Sequence, residues 1–285
     1  MDFSLSPRDP SAVTAIREIV PNVITTLSAP FSRFGLIRIG SRGTIGEEYF
    51  SSLPLDFFLR SSTVRLKSGA VAVFSPTPLT PEAKEIVTKL GEHHIFLGPW
   101  HQEFPQAKLI GPEGLPEKRE KQNNDQVPFS VVFTDAGKDC IAVDAEFDIE
   151  FDYVYISSHP NKELIFHHKP SRTLIEADLF FNLPANEQYS KAGVSPTSGL
   201  LTRLFGLVSN LQGDCIWQKR LIYQTISAAG RPEFNRAIAN ISKWDFDRII
   251  PCHGDVIESG GKETFCKLFG WHLTIAKETL PVSVR

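Results

Sequence analysis

The sequence predicts an α/β layered domain. Apolar strand-like runs occur in both halves of the chain and alternate with stretches of helical period, which favours layers over an all-β barrel. Hydrophobic residues make up 41% and charged residues 22% of 285 residues, so the chain has the means to bury a full core. It carries no internal repeat, and we read residues 1–285 as a single domain.

The elements follow in order. Residues 34–40 (FGLIRIG) and 64–74 (VRLKSGAVAVF) read as strands, the second folded into a hairpin at Lys67-Ser68-Gly69. Between them, 46–62 has neither the strand nor the helix period and reads as an insertion. Thr80 and Pro81 are cap and first-turn residues for a helix over 82–90, with Ile86, Val87 and Leu90 on one face. Residues 112–128 are polar, Pro-bearing and periodless, which predicts a surface loop. Strands are predicted at 129–133, 147–156, 163–168 and 172–176. Leu200, Leu201, Leu204, Phe205, Val208 and Leu211 mark one face of a helix. Phe234, Ile238, Ile241 and Trp244 mark another after Pro232. A short strand at 247–252 precedes a last helix over 261–278, which opens after Gly260-Gly261.

Several functions are excluded or disfavoured. The formal charge of −3 offers no field for gripping a phosphate backbone, so no nucleic-acid partner is expected. No window approaches the roughly 20 apolar residues of a membrane helix, and no membrane partner is expected. The first residues carry acid early and lack a long apolar core, unlike a signal peptide. Cys140, Cys215, Cys252 and Cys266 form no CxxC pair and suit reduced thiols in the cytoplasm. No GxSxG, Walker or Rossmann glycine pattern is present.

Four of the eight histidines stand where chain shape favours chemistry. His93 and His94 follow the 82–90 helix, His159 ends the run FDYVYISSH, and His253 follows DRIIPC; Asp178 ends RTLIEAD, after a second strand. Side chains at strand C-termini converge on one edge of a sheet. Imidazole nitrogens and carboxylate oxygens suit Zn, Fe or Mn at about 2.0–2.2 Å.

The order of these residues carries a resemblance. SSHPNKELIFHHKPSRTLIEADLFFN (157–182) and IIPCHGD (249–255) resemble the metallo-β-lactamase superfamily: a His after a strand, a hairpin, an acidic residue, then strand and Pro-x-His-Gly. EHHIFLGPWHQEFPQAK (92–108) resembles an uncharacterised branch of it, catalogued as a domain of unknown function. The resemblance spans roughly 18–275 and implies a four-layer αββα sandwich with a site at one edge. It implies a degenerate HxHxDH loop, with Glu92-His93 where Asp-His would stand and His94 as an adjacent candidate. His159 matches the third motif, Asp178 the bridging carboxylate and His253 the final ligand. The second-metal set (Glu92 or His93, Asp178, His253) is fuller than the first, so one ion is implied, Zn with Fe or Mn as alternatives.

The implied activity is hydrolysis of an ester, thioester, lactone or lactam in a small-molecule substrate, through a metal-bound hydroxide that Asp178 orients. The alternative is a catalytically silent relative kept as a binding or interaction module. The chain departs from the family in its N-terminal half, where KLG runs straight into EHH without an intervening buried strand.

The other histidines have plainer readings. His167 and His168 alternate on a strand, one packed and one solvated; His101 lies on a helix surface; His272 sits half-buried in the last helix. Cys252 reads as a buried thiol beside His253.

Overall fold

The computed structural model describes residues 10–42, 62–68, 70–74, 99–121 and 127–279. The 82–90 helix, the Glu92-His93-His94 segment and all but the last residue of the 46–62 insertion lie outside the described residues.

The chain begins with β1 (Ala15–Val20), β2 (Ile24–Ala29), β3 (Ser32–Arg33), β4 (Ile37–Arg38), β5 (Ser41–Arg42), β6 (Ser62–Arg65) and β7 (Val71–Phe74). There follow α1 (Pro99–Glu103), β8 (Leu109–Pro112), α2 (Leu115–Lys121), β9 (Phe129–Phe133), α3 (Ala145–Glu150), β10 (Phe151–Ile156), β11 (Glu163–His168) and β12 (Thr173–Glu176). The last part holds α4 (Asn186–Tyr189), α5 (Leu200–Val208), α6 (Ile216–Leu221), α7 (Arg231–Ile241), β13 (Arg248–Pro251), α8 (Gly261–Leu268) and α9 (Gly270–Thr279).

One sheet has the order β1-β2-β6-β7, with β5 also on β2; the other has the order β10-β11-β12-β13. Period-two alternation explains how the second sheet is covered on both faces. Phe166, Ile175 and Ile250 turn toward Ile24, Val64 and Phe74 of the first sheet. Their neighbours Ile165, Leu174 and Ile249 turn the other way, onto Phe234, Ile238 and Ile241 of α7 and Phe265 and Leu268 of α8. The described layers are therefore sheet, sheet, helices. Among the described residues, no helix is long and apolar enough to cross a membrane.

Several expectations need correction. Residues 112–128 are not all loop: Leu115 is buried, and Glu117 early with Lys118, Arg119 and Lys121 late suit the dipole of the short α2. The first part of the expected 147–156 strand is helical, because the Asp144 side chain caps α3 by accepting from Glu146 N. The 34–40 run splits into a tight β3–β4 hairpin with positive φ at Phe34 and Gly35. The last helix breaks at Phe269, giving α8 and α9.

The leucine-bearing face of α5 is not the one that packs. Thr202 is buried and Phe205 is part of a core cluster, while Leu200, Leu201, Leu204 and Leu207 are exposed. His167 and His168 are both buried. A buried ring needs a partner, and His167 has Asp152 and the Asp245 carbonyl, His168 has Ser171 and Glu150. His101 lies in α1, partly exposed.

His272 is fully rather than half buried; its Nε2 meets Ser227 Oγ at 3.0 Å, and Phe234 and Tyr223 flank the ring. Burial, with Arg231 nearby, pushes the ring pKa from 6.5 down to about 4. The unfolded chain then binds a proton that the folded chain refuses. Stability is expected to fall as pH drops from 6.5 toward 4, with His272 accounting for up to about 3 kcal/mol. Urea unfolding across that range checks this, with a flatter profile expected for His272→Leu.

Candidate functional site

Strand direction brings the candidate residues together. β10 and β12 each run antiparallel to β11, and β13 runs parallel to β12. The C-terminal ends of β10, β12 and β13 therefore lie at the same edge of the sheet, and His159, Asp178 and His253 follow those three ends.

His253 is 8% exposed and doubly fixed. Its Nδ1 donates to the Gly40 carbonyl at 2.7 Å, and its Nε2 lies 3.1 Å from Asp178 Oδ1. Phe31 and Phe181 flank the ring. Asn161 Nδ2 donates to the other carboxylate oxygen of Asp178 at 2.7 Å. His159 is buried in the turn after β10; its Nδ1 accepts from Asn161 N at 3.2 Å. Its Nε2 is buried with no hydrogen-bond partner among the described residues.

The electrostatics divide these groups. Burial works to raise the Asp178 pKa, but the His253 contact, His159 and Asn161 outweigh it and hold the carboxylate down at about 2. Burial also disfavours a charged His253; the adjacent Cys252 sulfur and Asp178 overcome that and raise it well above the usual imidazole range. Burial dominates at His159, which falls to about 4 in spite of Asp178.

Two further carboxyls bracket the Asp178 turn. Glu163 accepts from Ala177 N at 2.6 Å, and Glu176 accepts from Leu179 N at 2.9 Å. Both are buried, which drives their pKa values well above the carboxylate range. Sequence reasoning missed them, although an acid at one end of each of the apolar runs ELIFHH and TLIE was the available signal. It also missed Asn161 as an anchor and Arg42 as a clamp. The Arg42 guanidinium is 1% exposed and donates to the carbonyls of Pro251 (3.1 Å) and Gly254 (2.6 Å), on either side of His253. Ser28 and Glu187 complete its surroundings.

Of the predicted ligands, His159, Asp178 and His253 fall in one region, while Glu92, His93 and His94 lie outside the described residues. Among the described residues, no three His, Cys, Asp or Glu side chains form a metal-holding group. The donor types nevertheless fit a cation at His253 and Asp178, since the Gly40 contact places a hydrogen on Nδ1 and leaves Nε2 as the coordinating end. At His159 the same role requires the hydrogen on Nδ1, and so requires the Asn161 N–H contact to open. Cys252 is buried, with its sulfur 4.0 Å from Ser41 Oγ.

No protein-family model and no curated protein matches the chain. Solved structures do. The DIM-1 metallo-β-lactamase is 10% identical, with 92% of this chain and 98% of that one covered and a TM-score of 0.49. VMB-1 is 10% identical over 91% of this chain and 98% of its own, with a TM-score of 0.50. The Flv1 flavodiiron core from Synechocystis sp. PCC6803 is 13% identical over 91% of this chain and 61% of that one, with a TM-score of 0.55. The chain has the metallo-β-lactamase fold. At these identities the likeness is one of architecture.

Within this metallo-β-lactamase fold, Gly254 fixes the path of the His253 turn. Its φ is +94°, and an added Cβ would lie 2.0 Å from the Asn182 carbonyl oxygen. Asn182 N also donates to the His253 carbonyl at 3.0 Å. Gly254→Ala is expected to destabilise the protein by at least roughly 1–3 kcal/mol, read from urea unfolding, and to shift the His253 ring resonances in an NMR spectrum.

Proposed function

We propose that the chain is a metal-dependent hydrolase that opens an ester, thioester, lactone or lactam bond in a small-molecule substrate. One ion, Zn with Fe or Mn as alternatives, is held by His159, Asp178 and His253 together with donors from Glu92, His93 and His94. The observation that carries this reading is the His253–Asp178 pair at a shared strand edge, with the second ring nitrogen of His253 tied to Gly40. When bound, such a cation supplies Lewis acidity and a nucleophilic water at neutral pH.

This chain's own groups do the rest. Asn161 holds one oxygen of Asp178, so the carboxylate stays anionic and aimed. Its other oxygen meets His253 Nε2; with a cation bound, Asp178 would orient the attacking water and pass a proton to the leaving group. Phe31 and Phe181 keep the His253 side of the site apolar and limit bulk water there. The four free cysteines suit a reducing compartment, and we place the protein in the cytoplasm.

A second reading is favoured by one observation: three donors do not group among the described residues. On that reading the fold is kept as a catalytically silent binding module. Elemental analysis of protein expressed with added zinc, manganese or iron separates the two. The hydrolase reading expects about one equivalent of metal and its loss in His253→Ala, since a ligand must be present and deprotonated for the metal to bind. Absence of metal from both proteins would leave the binding module.

A further inference from the structure

Among the described residues, the α5 helix and the β3–β4 hairpin together present an exposed apolar surface. Among the described residues, eight of the eleven exposed large hydrophobic side chains lie on two stretches: Phe34 and Leu36 at the hairpin tip, and six more between Leu200 and Trp217. Leu200 is 73% exposed, Leu207 65% and Leu36 61%. Scattered exposed leucines are ordinary, but a concentration of this kind marks an interaction surface.

The two stretches are joined. Arg38 N donates to Thr202 Oγ1 at 3.0 Å, and Thr202 Oγ1 in turn donates to the Leu36 carbonyl at 3.2 Å. Thr202 thus faces inward and ties the hairpin to α5, while Leu200, Leu204 and Leu207 repeat at helical spacing on the opposite face. Trp217 adds an amphipathic ring with the Arg220 guanidinium 4.9 Å from its centre.

The charge around this surface is specific in sign. Residues 31–40 and 189–221 carry Arg33, Arg38, Lys191, Arg203, Lys219 and Arg220 against the single acid Asp214, in a chain whose formal net charge is −3. Arg203 sits within the exposed leucine stripe, its Nε on the Thr197 carbonyl. An apolar helix face with a hairpin-tip aromatic and a basic surround is the pattern of an element that lies in a bilayer interface. A second copy of the chain is the poorer occupant, because a two-fold contact would set like charges against one another.

We propose that the face formed by α5, the β3–β4 tip and Trp217 docks on an anionic phospholipid surface. That no described helix is long and apolar enough to cross a membrane does not bear on this mode. The proposal is independent of the metal chemistry.

The test is co-sedimentation of the full chain with vesicles of phosphatidylcholine alone and with 30% phosphatidylserine, at about 0.1 M salt, where surface charges still act over roughly 10 Å. Binding to the phosphatidylserine vesicles is expected, weaker binding to phosphatidylcholine, and release as salt rises. The triple variant Leu200→Ser, Leu204→Ser, Leu207→Ser removes exposed side chains and should keep its circular dichroism spectrum while binding roughly tenfold more weakly or worse. Arg203→Glu with Arg220→Glu should abolish the preference for phosphatidylserine. Failure of the folded chain to sediment with either vesicle overturns the proposal. So does a dimer in sedimentation velocity that the leucine variant converts to monomer, which would assign the face to a second copy.

Discussion

The Arg42 guanidinium is the joint on which the site depends. It sits in β5 of the first sheet, almost wholly removed from solvent, and holds the carbonyls before and after His253 at the end of the second. A buried cation is tolerated only where hydrogen bonds and opposite charge replace water, and Glu187, Ser28 and two carbonyls do so. Gly40, two residues earlier, supplies the carbonyl that orients the His253 ring. The N-terminal sheet therefore sets both the position and the tautomer of a group that belongs to the C-terminal one.

Much of the second sheet was legible in the sequence, because strands buried on both faces are written as apolar runs with abrupt ends. FDYVYI, ELIFHH, TLIE and RIIP each appear as strands close to where they were expected. Positions after those ends were the natural places for His159, Asp178 and His253. The fixing contacts were not legible. Whether Gly40 meets His253 depends on a pairing more than two hundred residues apart, which local periodicity does not encode.

What periodicity leaves open is decided by single side chains. Helix α5 has a strong apolar stripe, and periodicity alone treats any such stripe as core-facing. Its inward face is instead chosen by Thr202, whose hydroxyl satisfies hairpin groups that would otherwise be unpaired. Asp144 likewise decided the start of α3 through one side-chain hydrogen bond, within a run whose apolar content reads equally well as strand. His167 and His168 were assigned one face each, correctly for a strand, but both faces of this sheet are covered.

The bracket made by Glu163 and Glu176 has a bearing on how the turn between them responds to change. Each carboxyl seizes an amide immediately adjoining Asp178, so the main chain there is held from both flanks without help from the aspartate itself. Chemical exchange of that one side chain consequently isolates its charge from its scaffolding role. The turn is a mounting whose cargo can be swapped while the frame stays put.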